Sequence, residues 1–110
     1  MASSKEYLMF IIEQLSLLDD IAYRYMMGEY IIYYRGKVIG GIYDDRFLLK
    51  NIAEIRELMP TAKLELPYER GSLMLLVDDV DNKENLKDMI ELMYDKLPFP
   101  NKKKSKLIKS

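Results

Sequence analysis

The sequence has no cysteine, no histidine and no tryptophan in 110 residues. Without cysteine, neither disulfides nor thiolate metal sites can hold the chain together, which fits a reducing compartment. Without cysteine and histidine, the strongest nucleophile and the commonest general base are missing. Asp, Glu, Lys, Tyr and Ser remain, but no spacing sets a nucleophile beside its base. There is no P-loop and no dinucleotide fingerprint, and the glycine pair at 40–41 is too short to count as one. No catalytic residue and no cofactor is predicted, so the chain reads as a non-enzyme. No apolar run approaches the ~18 residues of a membrane span. Residues 1–7 carry one lysine, and Glu13 interrupts the first apolar run, so no signal peptide is predicted either. The expected location is the cytoplasm, away from any membrane.

What the chain does contain suits one domain. At this length about 65% of the unfolded surface is buried on folding, enough for a core without staples. The formal charge of −1 hides an asymmetry, because the last ten residues, NKKKSKLIKS, hold five lysines and no acid. Removing them leaves 12 basic against 18 acidic residues in positions 1–100, a net charge of −6. A body of that sign repels a phosphate backbone, so no direct DNA binding by the body is expected. Weak contact with nucleic acid is left to the tail, residues 101–110, which reads as disordered.

Residues 28–50 carry the strongest pattern. Triplets at 35–37 and 44–46 read as turns between runs rich in Ile, Val, Tyr and Phe. Six of the nine tyrosines fall between Tyr23 and Tyr43. A first strand is predicted over 21–27, with Gly28 as a bend or bulge, then strands over 29–35 and 38–43 and a short one at 47–49. In 29–35 both alternating sets are apolar, Tyr30, Ile32 and Tyr34 against Ile31 and Tyr33. Gly40 and Gly41 mark a bulge, a bend or close approach of another backbone. Gly28, Gly36, Gly40 and Gly41 are therefore read as structural glycines.

Three helices flank the strands. Ser3 and Glu6 have the form of a capping box, followed by Leu8, Ile11, Ile12, Leu15 and Leu18 on one stripe, predicting a helix over 4–17. Asn51 reads as the N-cap of a second helix carrying Ile52, Ile55, Leu58 and Met59, stopped by Pro60. Residues 81–84 supply a third cap signature before Leu86, Met89, Ile90, Met93 and Leu97. Between the last two helices, Leu64 and Leu66 suggest an edge strand ended by Pro67, and 69–72 a turn. The continuous apolar run 73–77 is the best candidate for a central strand covered on both faces. The fold class is α+β, two-layered, in the order α-β-β-β-β-α-β-β-α, with the helices on one face of a mainly antiparallel sheet.

Two acidic groups bear on ion binding. Asp78, Asp79 and Asp81 are weak candidates for a divalent metal, since clustered carboxylates suit Mg²⁺ or Ca²⁺. They lack the glycine and distal glutamate of an EF-hand, and acids at a helix start also complement its dipole. Asp44 and Asp45 read as a solvated turn. Tyrosine and methionine are enriched at protein contacts, and a one-sided helical cover cannot hide both faces of 29–35. Tyr33, Tyr43, Arg24 and Tyr30 are the protein-interaction candidates, toward a protein partner or a second copy of the chain.

RYMMGEY at 24–30, YRGK at 34–37 and GGIYDDR at 40–46 resemble the TfoX N-terminal domain family, the amino-terminal module of a bacterial competence regulator. The likeness continues through PY at 67–68, MLLVDD at 74–79, MY at 93–94 and LP at 97–98. It implies a fold related to the secretion-chaperone α+β architecture. It also implies a link to transcriptional regulation of competence-type genes, where the full regulator works with a DNA-bound cyclic-AMP receptor protein. Two departures stand out: the chain stops at Ser110, before the regulator's carboxy-terminal domain, and Glu29 occupies a position where many family members carry a second glycine. The family supplies no catalytic residues. The expected function is a non-enzymatic regulatory or protein-binding domain; the alternatives are a homodimeric adaptor or chaperone-like module with no transcriptional role and, more weakly, a metal-dependent activity at Asp78, Asp79 and Asp81.

Overall fold

A computed structural model of the chain describes residues 3–68 and 71–98. Its elements are α1 Lys5–Gln14, β1 Ile21–Met26, β2 Glu29–Tyr34, β3 Lys37–Ile42, β4 Phe47–Leu49, α2 Ala53–Leu58, β5 Leu64–Glu65, β6 Met74–Leu76 and α3 Lys83–Lys96. This is the predicted order. The six strands form one sheet, β1-β2-β3-β4-β6-β5, in which every pairing is antiparallel. No helix among the described residues is long and apolar enough to cross a membrane. The lysine-rich tail lies outside the described residues, as does part of the predicted turn at 69–72.

The first four strands are joined by two-residue turns. Met27 and Gly28, Arg35 and Gly36, and Asp44 and Asp45 all have positive φ, the signature of type I′ hairpins, whose twist matches that of the strands they join. Gly28 is thus the second residue of a turn rather than a bulge. The bulge sits in β3, where Ile32 faces Gly40 but Tyr33 faces Val38, leaving Ile39 as the extra residue. Gly40 and Gly41 are there for space. A Cβ on Gly40 would collide with the Leu48 carbonyl oxygen and stand 2.9 Å from Leu49 Cα.

Residues directly opposite in an antiparallel pair point to the same side. Tyr30, Ile32, Tyr34, Ile42, Phe47, Leu49 and Leu75 therefore share one face. They form a single buried cluster with Leu8, Ile11 and Leu15 of α1, Ile55 of α2, and Leu86, Met89, Ile90 and Met93 of α3. Full burial of each such side chain contributes about 1.5–3 kcal/mol. All three helices cover this face.

Several local expectations are corrected. The α1 cap is Ser4, whose Oγ accepts from Tyr7 N at 3.1 Å, and Ser3 takes another role. The helix stops at Gln14, and Ser16 N and Leu18 N turn back to Glu13 and Leu15 three residues earlier. Asn51 does not cap α2; its Oδ1 accepts from Arg56 at 2.5 Å, and the cap residue is Ile52. Asn82 caps α3, accepting from Asn85 N at 3.0 Å. The run 73–77 is not the central strand: β6 lies fifth in the sheet, Leu73 is exposed, and the doubly buried strand is β4. Turn chemistry placed β4 at the middle, while β6 alternates as a strand near an edge does. Lys37 opens β3 instead of closing the turn, with Nζ 2.7 Å from the Tyr94 carbonyl oxygen and 4.0 Å from the centre of that ring.

Candidate protein-binding face

The helix-free side of the sheet collects the other alternating set: Ala22, Arg24 and Met26 from β1, Ile31 and Tyr33 from β2, then Val38, Gly41, Leu48, Leu76 and Met74. Leu48 is fully buried there. Apart from Arg24 and Glu29 the face is apolar without a helical cover, in keeping with the two-sided pattern of β2.

Two tyrosines stand on it. Tyr43 follows β3, and its ring folds back over Gly41, so close that a Cβ on that glycine would lie 2.7 Å from the ring. Tyr68 reaches the same place from beyond β5, with ring centres 6.1 Å apart and planes tilted by 60°. Gly71 makes room for this segment, since a Cβ there would meet the Pro67 ring at 2.8 Å and the Tyr68 ring at 3.1 Å.

Arg46 fastens the two sides together. Its Nε donates to the Tyr43 carbonyl at 3.0 Å, one guanidinium nitrogen meets Glu65 at 2.6 Å, and the other donates to the Leu66 carbonyl at 3.2 Å. The Asp44–Asp45 turn is held from behind. Glu29 accepts from the Ser3 hydroxyl at 2.5 Å and from Asp44 N at 3.1 Å, Asp45 N donates to Ser3 Oγ at 3.1 Å, and Asp45 accepts from Ser4 N at 2.8 Å. Left-handed backbone costs a non-glycine residue about 1–2 kcal/mol, and these bonds offset it at a turn that carries two aspartates.

Tyr43 and Tyr68 divide the face into two grooves and line both. One, of about 700 Å³, runs from Val38 and Met74 to Lys50 and Ile52; the other, of about 540 Å³, runs over Ile31 to Met26, Met27 and Glu29. Met27 is 92% exposed at its mouth. Burial pushes the Tyr43 phenol above its ordinary value of 10.0, with Tyr68, Glu29 and Tyr33 adding to the rise. Tyr43 is thus a neutral donor at physiological pH. The grooves are unlike at their ends, a carboxylate at Glu29 and an ammonium at Lys50.

Of the predicted contact residues, Tyr33, Tyr43 and Arg24 share this face. Tyr30 does not: its ring is 8% exposed in the core, edge-on to Tyr23 and Tyr25. Asp78, Asp79 and Asp81 are all exposed between β6 and α3, and no three carboxylates among the described residues are grouped to hold a metal. Tyr68, Met26 and Met27 also line the grooves, without a pattern in the sequence that marks them. Only the alternation of β2 pointed to Ile31, and nothing in the spacing brings Tyr68 across to Tyr43.

No protein-family model matches the chain, and no solved structure matches it. Over 107 residues, 96% of this chain and 93% of the relative, it is 29% identical to the "Uncharacterized 12.7 kDa protein in trpE 5'region" of Spirochaeta aurantia.

Proposed function

We propose that this chain is a non-enzymatic, protein-binding regulatory module of the bacterial cytoplasm that holds an apolar segment of a protein partner on the helix-free face. The observation that carries this reading is the pair of adjoining grooves sharing Tyr43 and Tyr68 on a sheet face that no helix covers. Tyrosine rings at such a surface supply contact area at low entropic cost, and methionine side chains adapt their shape to what lies against them. A segment lying along it would meet Glu29 at one end and Lys50 at the other, which favours a basic group near the β1–β2 turn and an acidic one near α2. The likeness to the competence-regulator module supports a role in transcription exerted through that partner. The acidic body supports the same route, since it disfavours direct contact with DNA.

The test compares the wild type with Ile31→Asp and Tyr68→Ala in quantitative binding to partners captured from the native host. Both variants should lose the same partner while keeping the wild-type circular dichroism. Binding that persists in both, or tight nucleic-acid binding by a chain lacking residues 101–110, would overturn the reading.

A further inference from the structure

The sheet has two edges of different character. β5, at one end, is two residues long and is followed by Pro67, a blunted edge. β1, at the other, is six residues long, contains no proline, lysine or bulge, and is exposed at five of its six positions. Such an edge is a template for another strand.

Its unpaired groups can be named. Arg35 N donates to the Asp20 carbonyl at 2.9 Å, which makes Asp20 and Arg35 a hydrogen-bonded pair. In an antiparallel ladder these pairs alternate with non-bonded ones, so Ala22, Arg24 and Met26 direct their backbone groups to β2. Ile21, Tyr23 and Tyr25 direct theirs outward. Among the described residues, nothing donates to or accepts from those outward groups.

We infer that β1 pairs with β1 of a second copy, antiparallel about a two-fold axis at Tyr23, so that the two six-stranded sheets become one. The argument for a second copy is that this strand complements itself. In that register Tyr23 faces Tyr23 of the partner subunit and Ile21 faces the partner's Tyr25. All three outward residues are then paired, giving about six inter-subunit hydrogen bonds, two for each bonded pair. Arg24 falls opposite the partner's Ala22, so the like charges never meet. Moving the axis to Arg24 would set the two guanidinium groups face to face, and moving it to Ala22 would leave Tyr25 without a strand partner. Tyr23 and Tyr25, 43% and 62% exposed, would be covered by the same contact. The residues that would carry its hydrogen bonds, Ile21, Tyr23 and Tyr25, line neither groove.

Sedimentation and light scattering across a concentration series test this on the full chain, together with amide exchange. The wild type should dimerise, and the amides of Ile21, Tyr23 and Tyr25 should become protected as the dimer forms. Tyr23→Lys opposes two ammonium groups at the axis and should weaken association about tenfold or more with the monomer still folded. Ala22→Glu sets a carboxylate across from Arg24 in a non-bonded pair and should tighten it about threefold. The chain has no other thiol, so Tyr23→Cys should oxidise to a covalent dimer, its Cα separation of about 5.5 Å lying in the disulfide range. A monomer at all concentrations overturns the inference. So does a dimer indifferent to Tyr23→Lys and Ala22→Glu, or protection of the three amides that is independent of concentration or appears only with a different protein.

Discussion

The Ser3 hydroxyl donates to the Glu29 carboxylate at 2.5 Å, joining the start of the chain to the first residue of β2. Glu29 is also the acceptor for Asp44 N, so one carboxylate braces two turns and the N-terminal segment. Replacing it with glycine removes the shared acceptor, leaving the Ser3 hydroxyl with the Ile42 carbonyl at 3.3 Å and Asp44 N to solvent. Glu29→Gly should lower the unfolding free energy by about 1–3 kcal/mol, read from the midpoint of a urea transition at unchanged slope. A midpoint equal to wild type would show that the brace contributes nothing.

Gly40 and Gly41 should respond differently to alanine. The Gly40 methyl would run into the Leu48 carbonyl and the β4 backbone, which cannot swing aside. Gly40→Ala should cost at least about 3 kcal/mol, at the upper end for overpacking. Gly41→Ala presses on the Tyr43 ring as well as the Tyr30 carbonyl, so part of the strain is relieved by displacing that ring. Thermal melting should rank Gly40→Ala well below Gly41→Ala, and the Tyr43 ring resonances should move only in the latter.

Arg46 ties the β3–β4 turn to the edge strand through Glu65 and the Leu66 carbonyl. Arg46→Met keeps the aliphatic stem and removes the ties. The global cost should be about 1 kcal/mol for a partly buried charged pair. The local effect should be larger: amides of β5 should exchange faster while those of β2 and β3 keep their protection. Uniform acceleration across all strands would contradict the proposed role.

Tyr43 should ionise above 10.0, later than a free tyrosine, as followed by phenolate absorbance. The neutral phenol is favoured in the folded state. The resulting stability is therefore fully present below 10.0 and is lost as the pH rises through the folded value. Tyr68→Ala removes the second contributor and opens the main one, burial, so the Tyr43 titration should move down. Titration unchanged in that variant would separate the two rings.

The sheet was readable because its turns and alternation are local. The paired turn residues at 35–36 and 44–45 bound the strands, and the apolar sets of β2 announced a face left without a helix. Helix stripes such as Leu86, Met89, Ile90 and Met93 placed their buried sides for the same reason. What was not readable depends on residues brought together from far apart. Ser3 looked like a cap because its partners, Glu29 and Asp45, lie 26 and 42 positions away. The run at 73–77 looked central because apolar continuity cannot distinguish a middle strand from one beside a short edge. Tyr68 has no periodic neighbour, so its meeting with Tyr43 followed only from the docking of β5 and β6. Tyr30 lies among tyrosines that face the surface, yet alternation alone puts it on the same side as Ile32, in the core.

In the strand order β4-β6-β5, β5 pairs with β6 alone, so it reaches the rest of the sheet only through that strand. Strands β1 to β4 form from contacts between neighbours in the chain, each closed by two residues. The β4–β6 pairing instead closes a loop that contains the whole of α2, which makes it the slower event. Pro67 and Tyr68 lie in the connection between β5 and β6. Both grooves are lined by Tyr68, so loosening β6 from β4 would open both of them while leaving the pairings of the four-strand meander in place.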